Sequence, residues 1–170
     1  MSIKAIVYTS NTGYTAEYAK ILGEETGLPY YSLNKTSREL GKGDSIIYLG
    51  WLMAGSVKGY REAEAKYSIA AVCGVGMSAP DSNLEEVKKA NKFPDKLPVF
   101  TLRGGYSPEK LRGIMKFTMK AFTKRVIKEL SKKTKRTNEE DIMLNLMLHG
   151  GNFVSKDNLK EVLDWYNRQK

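Results

Sequence analysis

The chain has a single cysteine and a single histidine among its 170 residues, no long apolar run, and few acidic residues relative to its lysines and arginines. Each shortage removes a class of protein. With Cys73 alone there is no internal disulfide framework, and a free thiol suits a reducing, cytoplasmic setting. With His149 alone there is no material for a histidine-rich metal site. The longest nearly apolar stretch, Ser45 to Gly55, falls far short of the roughly 20 residues that a membrane-spanning helix needs. No basic segment followed by an apolar one stands at the start, so no secretory signal is expected. The first apolar run is followed neither by G-x-x-x-x-G-K-[ST] nor by G-x-G-x-x-G, which argues against a nucleoside triphosphate loop and against the usual dinucleotide fold. There is no internal repeat.

What is present is ordinary in amount. Hydrophobic residues make up 41% and charged residues 28%, as in a globular domain. The net charge of +9 is not ordinary, and it is localised: between Arg103 and Arg136 twelve Lys/Arg stand against Glu109 and Glu129 alone. The rest of the chain is close to neutral.

Apolar runs and helical periodicity alternate along the chain. Residues 3 to 10 read as a buried strand, and a helix follows from Tyr14 to Glu25, stopped at Gly27. Tyr30 to Leu33 is a short second strand. "SIIYLGW" (45–51) and "IAAVCGV" (69–75) are continuous apolar runs, as expected of strands covered on both faces. "LPVFTL" (97–102) is the fifth strand. Helices are expected at Val57 to Lys66 and Asp81 to Asn91, with Asp81 as a cap. A long amphipathic helix is expected from Pro108, its apolar positions running Leu111, Ile114, Met115, Met119, Phe122, Val126 and Leu130. Residues 131 to 141 read as a solvated loop, and two further helices follow, the first stopped by Gly150 and Gly151. The expected fold class is α/β, a doubly wound five-stranded parallel sheet with helices on both faces and a C-terminal helical extension. The whole chain, 1–170, reads as one domain with a core at about 3–130 and an extension at about 131–170.

The most informative stretch is Ser10-Asn11-Thr12-Gly13-Tyr14-Thr15. Small hydroxyl residues and one glycine lie where a strand hands over to a helix. Two readings are open. Thr12 caps the helix and nothing more, or the loop holds an anion, since a helix N-terminus carries free N–H groups and partial positive charge. No lysine lies in the loop, so a bound phosphate would be a monoester tied to a larger group.

These six residues resemble the flavodoxin fingerprint [ST]-x-T-G-x-T, directly after the first strand as in that family. The later elements also resemble a short-chain flavodoxin, over about residues 3 to 130. The resemblance implies bound FMN, its phosphate held by Ser10, Asn11, Thr12, Gly13, Tyr14 and Thr15. It places the flavin ring between Trp51, Leu52, Met53, Ala54 and Gly55 on one side and Gly74, Val75, Gly76 and Met77 on the other. Trp51 falls where such flavodoxins carry an aromatic against the ring; alone it would read as a core tryptophan. Met77 stands where an aromatic is usual. "RGGYS" (103–107) lies at the same edge and could supply Tyr106 or Arg103, with a surface turn as the preferred reading of both; Cys73 reads as a small core residue and His149 as a helix-end residue.

Flavodoxins that carry electrons are acidic, and this chain is basic. Its C-terminal part, with a glycine pair and Asp164-Trp165, is similar to the flavodoxin-domain branch that includes menaquinone-dependent protoporphyrinogen oxidase. The basic stretch has three readings: a solvated face, a surface that steers an acidic partner or carboxylate-bearing substrate, or a contact with anionic lipid. Its lysines lack interleaved exposed aromatics, which argues against nucleic acid. No paired carboxylates occur in the loops. The expectation is therefore an FMN-binding electron carrier, with an FMN-dependent oxidase or quinone reductase of the protoporphyrinogen oxidase type as the alternative. The partner is then an acidic redox protein, or a quinone or tetrapyrrole substrate. A receiver-like signalling domain is disfavoured, because Tyr8-Thr9-Ser10 brings no acid to the end of the first strand.

Overall fold

The computed structural model describes residues 2–36 and 39–169, so Lys170, the last residue of the expected terminal helix, lies outside the described residues. In chain order the elements begin with β1 (Ala5–Thr9), α1 (Tyr14–Thr26), β2 (Tyr30–Ser32), β3 (Ser45–Met53), β4 (Ser56–Val57) and α2 (Tyr60–Glu64). They continue with β5 (Ser68–Gly76), α3 (Leu84–Asn91), β6 (Val99–Arg103), β7 (Gly105–Tyr106), α4 (Gly113–Ser131), α5 (Asn138–His149), β8 (Gly151–Asn152) and α6 (Lys160–Asn167).

Five strands pair in parallel in the order β2-β1-β3-β5-β6. The continuous apolar runs lie at the centre: Ile6, Val7, Ile46, Ile47, Tyr48, Leu49, Val72 and Cys73 are all fully buried. Helices cover both faces. On one, α1, α6 and the 3₁₀ turn before α6 pack Tyr18, Leu22, Leu159 and Val162 against Ile6, Ile47 and Cys73. On the other, α2 and α3 bring Tyr60, Ala63 and Val87 onto Val7, Ile46, Tyr48 and Val72. This is the flavodoxin-like, doubly wound arrangement, with β1 as the strand where the winding reverses. α1 ends at Gly27, whose φ of 75° is left-handed and whose N–H returns to Gly23 C=O.

Three helices start later than periodicity alone suggests, each for a local reason. Ser56 and Val57 pair back on β3 as the return strand of a hairpin, which leaves α2 only Tyr60–Glu64. Asp81 does not cap α3. Its carboxylate accepts the Thr101 N–H at 3.0 Å while its own N–H donates to Thr101 Oγ1 at 2.8 Å, tying the residue to β6. Pro108 opens a 3₁₀ turn, Leu111 is extended, and α4 begins at Gly113.

The packing also divides the chain differently from a boundary at 130/131. α6 returns to the sheet as a core helix beside α1. The segment between β6 and α6 stands apart, as β7 paired with β8 and the α4–α5 hairpin around Tyr106, Leu111, Leu146 and Met147. No residue of α4 is buried.

Tyr48 shows how tightly the sheet is sealed. Its hydroxyl donates to Lys58 C=O at 2.7 Å, 2.9 Å from Thr9 Oγ1. Burial pushes its pKa up to about 12, against a smaller lowering by the Thr9 bond. The raised value means that the protonated phenol's contribution to stability is complete below the ordinary pKa of 10.0 and is lost as pH climbs through about 12. Denaturant midpoints should therefore fall over that window, and Tyr48→Phe should make the fall shallower.

Candidate functional site

The parallel strands present their C-terminal ends on one edge, and the loops there enclose a cleft of about 460 Å³. That volume is within the range of about 300–1,000 Å³ typical of small-molecule sites. It lies beside the switch between β1 and β3, where doubly wound sheets bind their ligands.

Most of the residues expected at a site meet here. Asn11, Thr12, Tyr14 and Thr15 line the cleft at the start of α1, Trp51, Leu52, Met53, Ala54 and Gly55 line one wall, and Val75, Gly76 and Met77 line another. Ser10, Gly13 and Gly74 are outside the lining, and each has a reason. The Ser10 hydroxyl accepts the Gly13 N–H at 3.1 Å and closes the turn. Gly13 is the residue before the helix, at a φ of 101°. Gly74 pairs with Gly50 within the sheet, and a Cβ there would lie 2.9 Å from the Leu52 side chain.

The loop tests the reading of Thr12 as a cap. No side chain caps α1, so Thr12 does not do so. The helix's backbone bonding begins with Glu17 N–H on Gly13 C=O at 3.0 Å. The N–H groups of Tyr14, Thr15 and Ala16 precede it and have no helical acceptor. Thr15 is 1% exposed and lines the cleft, while the buried side-chain polar atom left without a partner among the described residues is Arg103 Nε. The Tyr14 hydroxyl points away, donating to Gly151 C=O at 3.2 Å, and burial raises its pKa above the ordinary 10.0.

The wall at Trp51 is a two-residue hairpin. Met53 pairs with Ser56 around Ala54 and Gly55, whose φ angles are 49° and 75°. Both central residues are left-handed, the geometry of a type I′ turn. Glycine adopts it freely and alanine does not, so Ala54→Asn should raise the urea midpoint, by about 0.5–1 kcal/mol of stability. Trp51 belongs to none of the buried clusters; half-buried, it faces the cleft, with Lys58 Nζ 5.9 Å from its ring centroid.

Of the remaining walls, the sequence pointed only to Tyr106, as the less favoured reading. Gly105, Tyr106, Ser107 and Leu111 close the cleft from β7 and the turn after it, and Met115, Thr118, Met119, Phe122 and Met143 close it from α4 and α5. Tyr106 and Arg103 are buried rather than on a surface turn. The Tyr106 hydroxyl lies 2.8 Å from Thr123 Oγ1, and Arg103 pairs with Glu139, fastening α5 to the end of β6. At Gly105 a Cβ would fall 2.3 Å from Gly151 C=O, so only glycine permits β7 and β8 to approach. Met53, Met77, Met115, Met119 and Met143 are five of the chain's seven methionines, and all line the cleft. The spacing of Met115 and Met119 along an apolar helix face was a visible signal, although it said nothing about what the face would cover.

Chemically the cleft has a donor-rich end and an apolar body. Glu86 is the one charged residue in its lining, so no acid–base pair is assembled. The Cys73 thiol is fully buried, its pKa raised first by that burial and then by Asp81, and it takes no part. Among the described residues no cluster of His, Cys, Asp and Glu could hold a metal ion. No helix among them is long and apolar enough to cross a membrane.

No family model, curated protein or solved structure matches the sequence. The site has to be read from its own chemistry.

Proposed function

We propose that the chain is an FMN-binding, flavodoxin-like electron-transfer protein. One observation carries the reading: a helix N-terminus with no side-chain cap, with Thr12 and Thr15 beside it, opens into an apolar slot next to Trp51. The donor set fits a phosphate monoester, because Thr12, Thr15, Asn11 and the first N–H groups of α1 offer hydrogen bonds and no carboxylate lies in the loop. The slot fits a flat, largely apolar ring, with Trp51 and the hairpin on one side and Val75 to Met77 on the other.

When bound, the cofactor supplies one- and two-electron transfer. The chain's contribution is to hold and orient it. Thr12 and Thr15 anchor the phosphate end, Gly13 keeps that loop clear of side chains, and Trp51 with the hairpin excludes water from one face of the ring. An acidic redox partner is drawn at long range by the chain's net charge of +9. A cytoplasmic setting belongs to the same proposal and is supported by the single free thiol of Cys73.

The wall made by Leu111, Met115, Met119, Phe122 and Met143 favours a second reading. Methionine is polarisable and adaptable, so this wall accommodates an organic substrate beside the ring. An FMN-dependent oxidase or quinone reductase of the protoporphyrinogen oxidase type would need such a wall and a basic rim.

Purified protein mixed with FMN and desalted should retain flavin absorbance with quenched fluorescence; a colourless product refutes the proposal. Anaerobic turnover of protoporphyrinogen with a quinone would select the oxidase reading, and its absence with a loaded protein would select the carrier.

A further inference from the structure

α4 has two apolar faces where a helix lying on a core needs one. Its inner side, with Met115, Met119, Val126 and Ile127, turns toward the cleft and α5. On the opposite side Ile114, Phe117 and Ala121 follow one another at i, i+3 and i+7, which places them in one ridge. Ile114 is 81% exposed and Phe117 76% exposed, the two most exposed large hydrophobic side chains described, so the expectation that no exposed aromatic stands among the lysines of the basic stretch is corrected. Lysines flank this ridge at 116, 120, 124 and 128. Among the described residues none of these four has a carboxylate within ion-pair distance, whereas Arg125 is satisfied by Glu129 at 2.8 Å.

We infer that α4 docks the protein onto an anionic lipid surface, Ile114 and Phe117 entering the headgroup–acyl boundary while the flanking lysines meet the lipid charges. A helix with protruding apolar groups and unpaired cations on one side matches the requirements of the interface plane, where apolar burial and attraction to anionic lipid act together. The lysine stems are long enough to lie along apolar surface while the ammonium groups reach headgroups. At 19 residues α4 is about 28 Å long, enough to lie along such a surface. A second copy of the chain fits this ridge poorly, since it would oppose lysines to lysines. Acidic protein matches the charge, but the ridge is convex and gives a peptide no groove to enter. The inference stands on α4 alone and does not depend on the cofactor.

The test is flotation of the full chain with phosphatidylcholine vesicles, with and without about 30% phosphatidylglycerol. The protein should float with the anionic vesicles, stay behind with the neutral ones, and be released by about 0.5 M NaCl. The double variant Ile114→Ser/Phe117→Ser, which leaves the net charge untouched, should bind about tenfold or more weakly. Its thermal melt should match the parent, because both side chains are exposed. Lys116→Gln/Lys120→Gln/Lys124→Gln should also weaken flotation. Failure to float with anionic vesicles overturns the inference. So does equal flotation of the serine variant, which would mean charge adsorption without insertion. Soluble polyglutamate binding as tightly as the vesicles also overturns it, and would assign the face to an acidic protein.

Discussion

Thr15→Val should weaken FMN binding by about tenfold to a hundredfold and leave riboflavin binding within about twofold. Threonine and valine have nearly the same shape, so the exchange opens no cavity at a buried position. What it removes is one hydroxyl from a residue that lines the cleft at the start of α1. On the proposed reading the acceptor of that hydroxyl is a phosphate oxygen. Riboflavin carries the same ring without the phosphate, so it reports on the slot while FMN reports on the loop. Fluorescence-quenching titrations with the two flavins measure both. Parallel losses would place the phosphate elsewhere and take the support from the loop.

Asn91→Leu should destabilise the protein by about 3 kcal/mol and loosen the cleft wall at the same time. Asn91 is 7% exposed and uses both ends of its amide. Its oxygen accepts the Val57 N–H at 2.9 Å, and its nitrogen donates to Gly55 C=O at 2.9 Å and to Val87 C=O at 2.7 Å. One side chain of α3 thus pins the turn and the return strand of the hairpin. Leucine fills a similar volume but leaves a buried N–H and a carbonyl without partners, the costly way to lose a hydrogen bond. Urea unfolding gives the global loss, and amide exchange at Val57 gives the local one. A change below about 1 kcal/mol would mean that strand pairing alone holds the hairpin, and that the wall beside Trp51 is not built by α3.

Much of the architecture was legible because it is written locally. The central strands are apolar on both faces, so "SIIYLGW" and "IAAVCGV" announce a covered parallel sheet whatever surrounds them. Gly27 ends α1 because it adopts a left-handed φ without strain, a property of one residue. The hydroxyl loop after β1 was visible for the same reason. The hairpin was not. Ser56 and Val57 look like a helix entry, and their pairing depends on Asn91, 34 residues away from Val57.

Composition and order alone determined that this chain is an α/β protein with a small-residue loop at the end of its first strand and one basic region. Only the tertiary structure decided which later helix covers the sheet. α4 and α6 are both amphipathic, and periodicity reports that a face is apolar without saying what will cover it. α6 took the core position beside α1, and α4 was left over the cleft with a second apolar ridge exposed. That choice rests on pairings far apart in sequence, Gly105 against Asn152 and Arg103 against Glu139, which form only after the whole chain has closed. The small-residue loop after β1 was therefore present in six adjacent residues, while the wall opposite it existed nowhere in the sequence as a unit.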